Sequence, residues 1–414
     1  MTRAPGPRGG LIWGSLGAFQ ADPLGFLAQA AQEHGDIVRL RFGPVTAHLL
    51  NSPAAIEHVL SRNASNYDKA TRSADRIAAT TGDSLLSANA HAWERHRRLI
   101  QPVFQPKCFD GIKPVLDSLL DPMLARWRKA GRIDIVDEMM QLVIAAVIKV
   151  LFTSDIDPMR ISAPLEVILA DTWRRIEAPL NAAMLSPKLH RPAFKAAVRA
   201  VNDVVFDLIR QRRKCTQWPD DVLTRLLRAH EAEGEAQLSD TELRDAAVTL
   251  LLAGHETTAN ALSWAFIHLL DAPEIGDPAR IFAEAIRLYP SIWVIERRAI
   301  AADVIDGFDI PRGSSVLISP YLLHRHPAFW PHASAFDPTR FAQGTPRPSA
   351  GYMPFGLGQH RCVGLYLANK MATHIIARVS HTVRLTLLPD QQPKTLAGIT
   401  LRHEGPVLMR VTAD

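Results

Sequence analysis

Residues 355–364 read Phe355-Gly356-Leu357-Gly358-Gln359-His360-Arg361-Cys362-Val363-Gly364. Three glycines crowd one cysteine. Glycine serves where a backbone must turn sharply or approach another body closely, as a loop wrapped over a flat cofactor must. Backbone N–H groups aimed at the sulfur would draw electron density from it and set its redox potential. The largely apolar run from Leu365 to Ala377 reads as a helix. That puts Cys362 just before a helix N-terminus, where a thiolate is favoured. A buried, inert cysteine in a glycine-rich turn is the competing reading, and for a lone cysteine it is the commoner one.

Outward from this loop, the most informative segment begins at Ser239. Ser239 and Glu242 have capping-box spacing, and apolar residues recur without proline to about Leu270. Within it stands Ala253-Gly254-His255-Glu256-Thr257-Thr258. A mid-helix glycine costs roughly 1 kcal/mol relative to alanine. A threonine there can bond the carbonyl one turn back, at Ala253, and bend the helix. Glu256 and Thr257 would then supply an ionisable group and a hydroxyl at the resulting groove, as proton delivery requires. A solvent-exposed glutamate beside an ordinary polar turn is the alternative. Glu284 and Arg287 are three apart and share a helix face; a bland exposed pair is the default for that spacing.

Composition bounds the rest. Of 414 residues, 47% are apolar and 21% charged, ordinary for a globular chain with a sizeable core. Lysine and arginine exceed acids by 47 to 42, a net +5 without a basic block, so no nucleic-acid partner is expected. Cys108, Cys215 and Cys362 suit neither a disulfide framework nor a zinc site and point to a reducing, cytoplasmic compartment. No stretch is long enough for a membrane span. Asp22-Pro23 opens a helix that Gly35 closes, and IVRLRF turning at Gly43-Pro44 into AHLL reads as a hairpin. Helical spacing dominates residues 92–290, and a small β region follows, with Gly307 and Pro311-Arg312-Gly313 as turns. The expectation is a mainly α chain with minor β and one domain over 1–414.

The cysteine loop resembles the haem-binding loop of the cytochrome P450 family, FxxGx[RH]xCxG, with every fixed position filled. That resemblance runs over nearly the whole chain. It implies the cytochrome P450 fold, with haem b between the long helix and the cysteine loop, and Cys362 as the iron ligand. It implies Phe355 packed by the sulfur, His360 on a haem propionate, and Ala253 and Gly364 against the haem. AGHETT is similar to the family's acid–alcohol pair, with Glu256 as the acid and Thr257 as the alcohol. Trp93 and Arg97 of HAWERHRRL match WxxxR, whose members meet the propionates. Arg298 stands where the family places another propionate arginine, with Arg297 as the alternative. Glu284 and Arg287 match ExxR, whose third member is an arginine of FxPxRF, here Arg340; the trio is assigned to fold and haem retention. One departure is the short spacing, 26 residues, between Thr257 and Glu284. It implies helices cut down around Asp271–Asp277.

The implied activity is insertion of one oxygen atom of dioxygen into an apolar small molecule, a terpenoid, fatty acid or similar. Electrons would come from an external ferredoxin or flavodoxin with its NAD(P)H-dependent reductase. Arg95, Arg98, Lys107, Arg361 and Lys370 would offer such a donor a basic face, or else form a scattered solvated surface. By analogy the substrate pocket takes in the turn region Ile77–Thr81, Val248, Leu252, the segment Ile292, Val294 and Ile295, and Thr400. A peroxide-using enzyme of the same fold and a non-catalytic haem-binding protein remain as alternatives.

Overall fold

The computed structural model describes residues 2–177, 191–231, 238–269, 276–344 and 351–413. After a six-residue helix at Leu16–Ala21, helix α1 (Pro23–His34) has its first turn capped by Asp22 accepting from Gly25 N and ends at Gly35. Strands β1 (Ile37–Phe42) and β2 (Val45–Leu50) follow as the expected hairpin, paired from Ile37↔Leu50 to Phe42↔Val45. Short strand β3 (Tyr67–Asp68) leads into α2 (Arg72–Thr81) and α3 (Ala90–Ile100). The segment Ile77–Thr81, read above as a turn, is thus helical; Thr71 caps it by accepting from Ala74 N.

The helical body comprises α4 (Ile112–Ala130), α5 (Ile135–Phe152), α6 (Met159–Glu177), α7 (Arg191–Lys214), the long helix α8 (Asp240–Leu269) and α9 (Pro278–Leu288). Helix α8 has 30 residues, about 45 Å of rise. Its start is the expected capping box: Ser239 Oγ accepts from Glu242 N at 3.2 Å, and Glu242 Oε2 accepts from Ser239 N at 2.8 Å. Glu242 is also ion-paired with Arg95 of α3. That bond, foremost among its partners, holds the Glu242 carboxyl down to about 2. Nineteen of its residues are buried, so α8 is a core-crossing helix with almost no solvated face. Gly254 is there for packing: a Cβ would stand 3.3 Å from Val147 of α5. Residues 270–275, most of the segment where shortened helices were expected, lie outside the described residues.

Strands β4 (Ile295–Ala299), β5 (Asp303–Ile305), β6 (Phe308–Ile310) and β7 (Ser315–Ile318) follow α9. A five-stranded sheet forms in the order β1-β2-β7-β4-β3, with β2 and β7 parallel and the other pairs antiparallel. Helix α10 (Leu365–Ser380) comes after the cysteine loop, and β8 (Thr395–Ala397) with β9 (Leu401–His403) makes a late hairpin. The largest apolar cluster lies among α4, α5, α8, α9 and α10. Smaller clusters lie under the sheet. Among the described residues no helix is long and apolar enough to cross a membrane.

Candidate active site between the long helix and the cysteine loop

A cavity of about 590 Å³ lies between α8 and the cysteine loop. Its walls are mainly apolar, as is usual for sites that take small molecules. The stripe Thr249, Ala253 and Thr257, each one turn after the last, faces it from α8. Thr257 Oγ1 donates to Ala253 O at 2.8 Å. The hydroxyl proton is therefore committed to the helix, and its lone pairs are left to accept from the cavity.

Cys362 lies opposite. It is the only cysteine that lines the cavity among the described residues, and its exposed surface opens there. The loop is set by Cys362 N donating to Phe355 O at 2.9 Å. Gly358, at φ +68°, is required for a different reason from the one expected. A Cβ there would stand 2.0 Å from Leu60 O, so the glycine lets the loop lie on a neighbouring backbone turn. Although its surface opens on the cavity, enclosure by the surrounding protein pushes the Cys362 thiol up, against the Gly364 and Leu365 N–H groups, Arg97 and Arg361. The helix start acts in the expected direction, but burial outweighs it.

At one edge of the cavity Lys69, Arg97, Arg297 and His360 gather around Trp93. The His360 and Trp93 rings are 4.1 Å apart, and Lys69 Nζ lies 5.5 Å from the Trp93 ring centre. Burial, and then Lys69, Arg297 and Arg97, bring the His360 imidazole down to about 3. Burial and the two arginines bring Lys69 to about 7. Buried His360 Nδ1 and Arg361 Nε find no hydrogen-bond partner among the described residues. So many mutually repelling donors at one wall suit a ligand bearing carboxylates. Among the described residues no group of three His, Cys, Asp or Glu side chains could hold a metal ion. A thiol floor, apolar walls and a cationic rim fit an iron porphyrin with two propionates.

Arg298 is not on this cavity; Arg297 is. Successive strand residues face opposite ways, and Arg298 points to β3, bonding Asp68 at 2.9 Å. Val248, expected in the pocket, is fully buried in the helical core, off the Thr249–Ala253–Thr257 stripe. Ile77, Leu252, Ile292, Val294, Ile295 and Thr400 do line the cavity, as do Trp93, Arg97, Phe355, His360, Ala253 and Gly364. Lys69 was missed; nothing in its local sequence marks it. Its amine reaches the cavity because it bonds Leu85 O at 2.7 Å.

Glu256 also borders the cavity, buried, with Oε2 accepting from Thr400 Oγ1 at 2.7 Å. Burial pushes its carboxyl up, while the Thr400 bond and Arg402 oppose this. Neighbouring His255 is buried and brought to about 4, a neutral core histidine.

Behind the loop, Glu284 and Arg287 are fully buried and doubly bonded at 2.6 and 2.8 Å. Arg340 Nε lies 3.4 Å from Glu284. Arg287 also donates to the carbonyls of His324, Ala333 and Ala335. His324 extends the network: Nδ1 meets Arg287 O at 3.0 Å, and Nε2 accepts from Met353 N at 2.8 Å, two residues before Phe355. The expected basic face is partly consumed. Arg95 pairs with Glu242 and Lys370 with Asp110, leaving Arg98 and Lys107 exposed.

The family model described as "Cytochrome P450" matches residues 4–280 and 279–409. Among curated relatives, the cyclooctatin synthase of Streptomyces melanosporofaciens is 30% identical, across 94% of this chain and 90% of its own. The pentalenene oxygenase of Streptomyces avermitilis is 28% identical across 94% and 93%. The cyclooctat-9-en-7-ol 5-monooxygenase of Streptomyces melanosporofaciens is 30% identical across 89% and 86%.

Proposed function

Because the chain belongs to the cytochrome P450 family, we propose that it is a haem-thiolate monooxygenase whose cavity takes a terpenoid, with the site residues named above in their family roles. Monooxygenase chemistry and haem b follow from the family. The terpenoid is supported by the relatives named for pentalenene and cyclooctat-9-en-7-ol and by the apolar walls of the cavity. The single observation that carries the reading is the apposition of Cys362 to Ala253 and Thr257 across one cavity. One domain over 1–414 is part of it: the two matched segments overlap and together run from 4 to 409.

When bound, haem b supplies the activation of dioxygen and the transfer of one oxygen atom to carbon. Cys362 would hold its iron, and Arg97, Arg297, His360, Trp93 and Lys69 its propionates. Ile292, Val294 and Ile295 would orient the hydrocarbon and keep water away from it. Thr257, its own proton given to Ala253, accepts a hydrogen bond from the groove and so holds a donor there. Glu256 supplies the proton. The monooxygenase needs an external electron donor; a ferredoxin docking on the exposed Arg98 and Lys107 is the form we favour.

Turnover under ¹⁸O₂ with a surrogate ferredoxin, its reductase and a panel of terpene hydrocarbons including pentalenene tests the reading. A labelled alcohol is expected; absence of any labelled product across the panel counts against the substrate class. In Thr257→Ala, oxygen uptake should persist while labelled product falls by about 10²-fold, because the donor it holds for proton transfer is lost, a magnitude at the low end for such transfer. Peroxide measured alongside should account for the difference. Arg297 and Arg298 separate cleanly. A hydrogen bond to a charged group contributes about 1.5–3 kcal/mol, so Arg297→Ala should release haem to an acceptor globin roughly ten-fold faster or more. Arg298→Ala should leave that rate within about two-fold, as for an exposed ion pair.

A further inference from the structure

The turn Gly398-Ile399-Thr400 of the β8–β9 hairpin does more than wall the cavity. Thr400 Oγ1 donates to Glu256 Oε2 at 2.7 Å, a contact across 144 positions of sequence. Arg402, the second residue after it, puts a guanidinium nitrogen 3.7 Å from Glu256 Oε1. That separation is too long for a hydrogen bond but close enough for strong attraction. Glu256 is 8% exposed and Arg402 26%, so the pair joins the buried acid to the outer surface. The hairpin is itself braced. Trp293 Nε1 donates to Gly398 O at 2.8 Å and Leu401 N to Ser291 O at 2.8 Å. Ser291 Oγ in turn donates to Thr257 O at 2.7 Å. Acid, alcohol and hairpin turn thus share one rigid frame.

We propose that Thr400 and Arg402 are positioning residues for the Glu256 carboxyl, and that the Arg402 side of that carboxyl is where it takes up protons from solvent. This rests on the reading of Glu256 as the proton-supplying acid. Burial raises the Glu256 carboxyl and so opposes release of its proton. The Thr400 hydroxyl and the Arg402 charge both favour the carboxylate and so restore release. Glu166 of α6 is the like charge acting against them. In the cycle Glu256 gives its proton toward the cavity, the carboxylate is held by Thr400 and Arg402, and solvent returns a proton.

The test uses the haem-loaded full chain. Infrared titration follows the band of the protonated Glu256 carboxyl, identified by its loss in Glu256→Gln. In parallel, the pH profile of oxygen uptake is recorded with a surrogate ferredoxin and reductase. Arg402→Gln and Thr400→Val should each raise the midpoint of the band by about one pH unit, the low end for losing such a partner, and move the uptake profile with it. Arg402→Lys and Thr400→Ser should restore both. Arg402 does not line the cavity, so agreement between the two sites assigns the effect to the carboxyl rather than to the pocket wall; should one variant fail to load haem, the other carries the test. Unmoved midpoints in both, with Glu256→Gln still impaired, would overturn the proposal alone. An uptake profile unchanged in Glu256→Gln would remove the underlying reading, and the proposal with it.

Discussion

Cys362→Ser is expected to abolish the strongly red-shifted Soret band of the reduced, carbon-monoxide-treated protein and to take oxygenation below detection. The substitution changes one atom. Serine keeps the size, and the loop's own hydrogen bond from position 362 to Phe355 O involves only backbone, so the fold should stand. What changes is the donor: an alcohol is a far poorer electron source for iron than a thiolate, whose push toward oxygen–oxygen cleavage is the protein's main electronic contribution. Cys108 and Cys215 cannot substitute, because neither lines the cavity. The check is a pair of difference spectra with circular dichroism to establish folding. A variant that folds and keeps the shifted band would remove Cys362 from the role on which every other assignment rests.

Arg287→Ala should be the most destabilising single change among the charged residues of the site. Its guanidinium is fully buried, makes two bonds to Glu284 and three to backbone carbonyls, and lies 5.1 Å from the Trp330 ring. Removing it leaves the buried Glu284 carboxylate with only Arg340 and the Asp337 N–H and takes the donor from three carbonyls, a loss of roughly 3–5 kcal/mol. Chemical denaturation should read that loss directly. Haem release should accelerate too, because His324 passes the network's geometry to Met353 at the head of the cysteine loop. Arg225→Ala, which breaks an exposed pair with Asp220, is the control and should cost less than about 1 kcal/mol. A buried-network variant no worse than this control would contradict the structural role.

Much of this was legible because chemistry fixes spacing. A thiolate before a helix start, an acid beside an alcohol at mid-helix, and a glutamate three residues from an arginine each leave a local pattern, and the long-helix cap could be placed to within a residue. What escaped was decided at long range. Arg297 and Arg298 look alike until Asp68, some 230 positions away, claims one of them. Val248 belongs to an apolar helix on which core and cavity positions have the same composition. Lys69 is brought in by the pairing of β3 with β4. The Thr400 bond to Glu256 spans 144 positions. The basic surface was overcounted because Glu242 and Asp110 neutralise two of its members.

Glu242 is shared between the first turn of α8 and Arg95 of α3, and that bond holds its carboxyl down to about 2. Helix α3 carries Trp93 and Arg97 to the cationic rim, and α8 carries Thr257 to the groove. The two are therefore clamped together by a joint that ordinary acidity does not open. The rim and the groove are tied together by a contact that no guest needs to touch. Reshaping of the pocket for a different guest can thus be confined to Ile77, Ile292, Val294 and Ile295, none of which belongs to that joint.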